Sequence, residues 1–146
     1  MAYKLSFETN PSQNDIQVLG EGIMAYAKQN KGQPSLEFFA FFIRDENNKI
    51  LGGCNGNTLY GSLYIDQLWI TESLRNKGYG AELINAAEQF GKDKGCTFAT
   101  VNTMDWEALE FYKKMGYEIE FERHGYSKNS TFYFLRKSLP TAGDAP

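Results

Sequence analysis

Along this chain the spacing of apolar residues switches between two rhythms. Tyr3, Leu5 and Phe7 alternate with polar neighbours, which predicts a first strand over residues 3–8. Ile16, Leu19, Ile23 and Ala27 then recur at helical spacing and predict a helix over 14–30, capped by Asn14 or Asp15. Gly20 and Gly22 fall inside that helix and are places where it would bend or divide. Residues 37–44 hold Phe38, Phe39, Phe41 and Phe42, a density that suits a strand buried on both faces. Residues 45–48 read as a hairpin turn and 49–55 as the return strand. There the paired Gly52 and Gly53 predict a bulge or a close backbone approach.

The stretch that organises the rest runs from a strand at 62–71 into a helix whose Leu83, Ile84, Ala87 and Phe90 form one apolar stripe. Gly95 is its expected stop. A strand over 96–102 follows. A further helix, with Asp105 as candidate cap, has Ala108, Phe111, Tyr112 and Met115 inward and ends at Gly116. Residues 117–123 and 131–137 read as a closing hairpin, and 140–146 as a flexible C-terminal tail. The order β-α-β-β-β-α-β-α-β-β predicts an α/β fold. It would have one mixed central sheet of about seven strands, helices on both faces, and a single domain over 1–139.

Between the central strand and its helix lies Arg75-Asn76-Lys77-Gly78-Tyr79-Gly80-Ala81. The first turn of a helix carries N–H groups without intrahelical partners and the positive end of the macrodipole. Glycines let an anion approach those donors, and Arg75 and Lys77 add charge. The loop is therefore a candidate phosphate site. It lacks the lysine and hydroxyl of a P-loop and the third small residue of a dinucleotide fingerprint. Gly20-Glu21-Gly22-Ile23-Met24-Ala25 does match the dinucleotide spacing, but it sits in a helical run and is set aside.

Arg75-x-x-Gly78-x-Gly80 resembles the pyrophosphate loop of the GNAT superfamily of N-acetyltransferases. The downstream Ala108-Leu109-Glu110-Phe111-Tyr112-Lys113-Lys114-Met115-Gly116-Tyr117 is similar to that family's second conserved segment. The resemblance implies the GNAT fold, with a splayed gap between the central strand (62–71) and the strand at 96–102, and acetyl-CoA as donor. It implies backbone contacts to the donor from Leu68, Trp69 and Ile70. The diphosphate would rest on Arg75, Asn76, Lys77, Gly78, Tyr79, Gly80 and Ala81, with Asn102 as a further cofactor contact. Tyr112 takes the family's general-acid position, although it also fits the core stripe of its helix. Asp66 is the candidate general base, with Tyr64 or an ordered water as alternatives. Where many members carry Asn this chain has Asp105, either near the phosphates or capping the helix. Lys113 and Lys114 fall either near the coenzyme's ribose phosphate or, as their positions suit better, on a solvated helix face. The implied reaction moves an acetyl group to a primary amine of a small molecule or peptide. The alternative is a non-catalytic acyl-coenzyme A sensor or partner-binding module on the same fold. Homodimers are common in the family.

Composition trims the remaining options. The chain has 146 residues, 42% hydrophobic and 15% aromatic, enough for one core. A formal charge of −3 disfavours nucleic acid as a partner and suits a cationic substrate. No apolar run reaches membrane-spanning length and no signal-peptide pattern is present, so a cytoplasmic protein with no membrane partner is expected. Cys54, Cys96 and the lone His124 cannot assemble a zinc site, so no metal is expected, and the thiols read as buried and inert. His124 has no nucleophile-elbow serine to partner. Asn129-Ser130-Thr131 matches a glycosylation acceptor but lacks a secretory context.

Overall fold

The computed structural model describes residues 2–140, and the expected tail beyond Pro140 lies outside the described residues. The chain divides at Leu36/Glu37 into two compact units. In the first, α1 (Gln13–Lys31) is one continuous helix that passes through Gly20 and Gly22 without dividing. Its cap is Ser12, whose hydroxyl accepts from the Asp15 N–H at 3.2 Å, so neither Asn14 nor Asp15 caps it. Asp15 instead sits in the first turn, where its charge favours the positive helix end. Residues 3–8 form no strand, and Tyr3, Leu5 and Phe7 are exposed. A strand exists by pairing, and alternation alone does not supply a partner.

The second unit holds β1 (Phe38–Arg44), β2 (Ile50–Leu59), β3 (Ser62–Ile70), α2 (Tyr79–Asp93), β4 (Phe98–Met104), α3 (Leu109–Lys114), β5 (Glu118–Tyr126) and β6 (Ser130–Ser138). Among the described residues the sheet therefore has six strands, in the order β1-β2-β3-β4-β6-β5, and not about seven. Only β3 and β4 are parallel, joined through α2. This mixed sheet flanked by helices is the α/β architecture expected.

The core lies between the sheet and α2 and α3. Leu63 and Ile65 on β3, Leu83, Ile84 and Ala87 on α2, Ala99 and Val101 on β4, Tyr112 on α3 and Leu135 on β6 are all buried. Each large aliphatic side chain so buried contributes about 1.5–3 kcal/mol. The α2 stripe is thus the one its spacing predicts. β1 departs from expectation: Phe39, Phe41 and Ile43 pack on the core, while Phe38 and Phe42 are 71% and 52% exposed. It is an edge strand half-buried by alternation, not a strand covered on both faces. Glu88, buried on α2, accepts from Tyr117 Oη at 2.7 Å and from Lys137 Nζ at 2.9 and 3.1 Å. These bonds tie the helix to β6 and to the turn before β5, and pairing is what makes the buried charge tolerable.

Both expected features occur at the glycines at 52 and 53: the register slips beside them, where Ile43 pairs with Gly52 but Arg44 with Ile50, and the backbones approach closely. A Cβ on Gly53 would stand 2.5 Å from the Phe41 carbonyl, and one on Gly52 would stand 2.9 Å from that of Trp69. A second register shift, between β2 and β3, lies further along. Asn55 pairs with Gln67 and Gly56 with Ile65, so Asp66 is the extra residue of β3. That one-residue insertion lets Leu63 and Ile65, then Leu68 and Ile70, all face the core across an odd step.

Candidate active site

The parallel ladder between β3 and β4 runs from Ser62/Phe98 to Ile65/Val101 and stops there. β3 continues through Ile70 on β2 alone, and β4 continues through Met104 on β6 alone. Their facing edges beyond Ile65 and Val101 keep main-chain donors and acceptors that no ladder uses. This is the splay expected between the two strands, with the second strand observed over 98–104.

At the end of β3 the chain makes a short 3-10 turn, Glu72–Leu74, then enters α2 through Asn76 and Gly78, both with positive φ (61° and 89°). Gly78 is the N-cap of α2 and supplies no side-chain cap bond. The first intrahelical bond of α2 is the Glu82 N–H on the Gly78 carbonyl, so the first-turn N–H groups at 79–81 have no intrahelical partner. The Arg75 guanidinium Nε–H donates to the Ile70 carbonyl at 2.9 Å, which fixes its base beside the strand end. Gly80 is needed for another reason: a Cβ there would stand 3.2 Å from the Phe111 ring. The helix start therefore packs directly on α3.

These elements enclose a cavity of about 710 Å³ lined by Leu68, Trp69, Ile70, Arg75, Asn76, Gly78, Gly80 and Ala81 on one side. The segment 105–111 forms the other wall. A coenzyme with a diphosphate and an extended arm fits that donor set, with uncapped amides and a guanidinium for the anion and a free strand edge for the arm. Both tryptophans of the chain, Trp69 and Trp106, line this cavity. Lys77 and Tyr79 are not among its lining residues, nor are Asn102, Asp66 and Tyr112.

Asp105 does not cap α3, whose N-cap is Ala108. Its N–H donates to the Thr131 carbonyl and its residue lines the cavity. The turn is held instead by Glu107, whose carboxylate accepts from the Met104 N–H at 2.9 Å, and by Thr103 Oγ1, which accepts from the Ala108 N–H at 3.1 Å. Sequence reasoning passed over Trp106, Glu107, Leu109 and Glu110 as wall residues, although all flank or fall within the second motif. Lys113 pairs with Glu110 at 3.7 Å on the surface of α3.

Tyr112 is buried in the core, edge-on to Phe111 and Tyr117 with ring centres 5.3 and 5.8 Å away. Burial, then the neighbouring Cys54 and Glu107, push its phenol well above the ordinary range, so it holds its proton at neutral pH. Cys54 is the cross-strand partner of Leu68, a lining residue, and burial pushes its thiol up to about 11. Both cysteines are free and buried. Asp66 is exposed at the bulge, where Tyr64 Oη donates to its Oδ1 at 3.3 Å. Burial and that carboxylate raise the Tyr64 phenol, while the Asn102 side chain acts on it in the opposite sense. The structure thus leaves the expected residues in three places: the loop and strand end around the cavity, Tyr112 in the core, and Tyr64, Asp66 and Asn102 on the sheet face away from α2. His124 bonds Thr131 at 3.1 Å and approaches Glu122 at 3.4 Å on the β5–β6 hairpin.

Residues 9–117 match the family model described as the acetyltransferase (GNAT) family. The chain belongs to the GNAT family. Acetyl-CoA is therefore its donor. Blasticidin-S acetyltransferase of Streptomyces morookaense is 31% identical over 105 residues, 71% of this chain and 77% of that protein. A crystal structure from Agrobacterium tumefaciens assigned to the acetyltransferases superposes with a TM-score of 0.82 at 25% identity, covering 94% of this chain and 99% of the other. An acetyltransferase crystal structure from Bacillus cereus gives a TM-score of 0.74 at 28% identity, covering 92% and 98%. Among the described residues no cluster of three or more metal-ligating side chains is present.

Proposed function

We propose that this GNAT protein transfers the acetyl group of acetyl-CoA directly to a primary amine of a small molecule or peptide. The observation that carries the reading is the end of the β3–β4 ladder at Ile65 and Val101 beside the uncapped start of α2. The amides at 79–81 and the Arg75 guanidinium take the diphosphate, while the main chain of Leu68, Trp69 and Ile70 aligns the arm as an added strand would. Lys77 and Asn76 add charge and shape to the same loop.

Acetyl-CoA supplies an activated thioester, so that an N–C bond forms as the C–S bond breaks. An alkylammonium must first lose a proton, and Asp66 takes it before passing it to solvent. A backbone N–H between Leu68 and Ile70 meets the developing negative charge on the carbonyl oxygen. Tyr112, kept protonated by burial, gives its proton to the leaving sulfur, and the second proton shed by the nitrogen restores the phenol. A relative named for acetylation of blasticidin S supports a small-molecule acceptor, and the net charge of −3 suits a cationic one.

Thiol release measured with acetyl-CoA and a panel of amines tests this reading. Tyr112→Phe is expected to lower kcat roughly a hundredfold while leaving acetyl-CoA affinity unchanged. Unchanged turnover in that variant removes the acid assignment. Acetyl-CoA binding without turnover on any amine would favour the non-catalytic sensor.

A further inference from the structure

We propose that Tyr64 and Asn102 are positioning residues for the Asp66 carboxylate, and that Asn102 serves this relay instead of contacting the coenzyme. The inference rests on the reading of Asp66 as the general base and goes beyond it. Its geometric root is the bulge. Asp66 has no cross-strand partner on β2, because Gly56 pairs with Ile65 and Asn55 with Gln67. It has none on β4 either, because the parallel ladder ends at Ile65/Val101. The residue that must present a carboxylate is therefore the one whose backbone is least fixed by the sheet.

Its neighbours in the relay are fixed. Tyr64 is paired on both sides, with Asn57 on β2 and Thr100 on β4. Asn102, one step past the end of the ladder, is anchored by Phe134 on β6. Tyr64 thus meets the carboxylate directly, and Asn102 lies two residues along β4 from Thr100, the partner of Tyr64. Tyr64 Oη donates to Asp66 Oδ1 at 3.3 Å, which leaves Oδ2 to accept the proton of the amine. Asn102 is absent from the lining of the coenzyme cavity, and its effect is felt at the Tyr64 oxygen.

The surroundings leave Asp66 as the charge that Tyr64 meets. From β2 the facing residues are Asn55 and Asn57, and from β4 Thr100 and Asn102, all uncharged. Asn55 Oδ1 is occupied by the Gln67 N–H at 3.0 Å. Asn57 Oδ1 is buried without a hydrogen-bond partner. Arg136, on β6 opposite Thr100, places its guanidinium 3.8 Å from the Phe98 ring centre and 3.9 Å from Glu120.

Two measurements test the relay. In protein labelled at tyrosine Cζ, the carbon resonance of Tyr64 is followed through its alkaline titration without any ligand. Asp66→Asn is expected to move that titration down, and Asn102→Leu to move it up. In turnover assays, Tyr64→Phe is expected to shift the acidic limb of the kcat/KM profile with the KM for acetyl-CoA unchanged. A Tyr64 titration unmoved in both variants overturns the relay. So does an Asn102→Leu protein that loses acetyl-CoA affinity tenfold while Tyr64 titrates as before. Because the resonance needs no activity, shifts seen in a protein that acetylates nothing would support the relay and sink the proposed reaction.

Discussion

The two halves of β3 are made of similar residues and do different work. From Ser62 to Ile65 the strand is bonded to β2 and β4 together, and Leu63 and Ile65 are 0% and 1% exposed. Past the unpaired Asp66, from Gln67 to Ile70, it is bonded to β2 alone, and Trp69 is 55% exposed. Nothing in β-propensity separates the halves, since Leu68, Trp69 and Ile70 are as strand-like as their predecessors. The difference is what happens next door, where β4 turns to β6 and leaves the edge. The closed half holds the fold together and the open half holds the candidate site. Changes to one should spare the other.

The largest effect expected on the closed side comes from Glu88. Glu88→Ala leaves Lys137 and Tyr117 unpaired against the core and should lower unfolding free energy by about 3–5 kcal/mol. Urea melts would show it, with coenzyme affinity of the folded fraction unchanged. A lost affinity would mean that the halves are coupled through α2. On the open side, Gly78→Val should weaken acetyl-CoA binding by roughly a hundredfold or more, because a branched side chain is strained at φ 89° and adds bulk to a residue that lines the cavity. Gly78→Asn sharpens the point. Asn tolerates the left-handed backbone, so it should recover stability while still binding poorly. Retained affinity in both variants would refute the loop assignment.

The smallest effect is alkaline. Burial holds the Cys54 thiol near 11 in the folded protein, above its value in the unfolded chain. Its contribution is therefore complete below about pH 8.5 and drains away as pH rises toward 11, by about 2–3 kcal/mol. Cys54→Ala should flatten that fall in urea midpoints between pH 8.5 and 11. An equally steep fall in the variant would assign it to Tyr112 and Tyr117, whose phenols burial also raises.

Much of this arrangement is legible in the chain. The stripe Leu83, Ile84, Ala87, Phe90 predicts α2, and Arg75–Ala81 marks the helix start that meets the cavity. What escaped depends on partners. Residues 3–8 alternate as a strand does, yet no ladder forms. Phe38 and Phe42 look buried by composition but lie on the outer face of an edge strand. Ser12, Asn14 and Asp15 are all good caps within one turn, and capping energies differ too little to choose among them by eye. The bulge did leave a trace, because the core-facing pair Leu63 and Ile65 and the pair Leu68 and Ile70 are out of phase by one residue. Asn102 gives no such sign, since its place depends on where the β3–β4 ladder stops.

In the proposed mechanism the amides opening α2 hold the diphosphate of acetyl-CoA. Backbone amide resonances of labelled protein, followed as coenzyme A is added, test it most directly. The largest changes are expected at Gly78, Tyr79, Gly80 and Ala81, with smaller ones at Leu68–Ile70 and none along β5. Unmoved amides at 78–81, with binding demonstrated elsewhere or not at all, would contradict it.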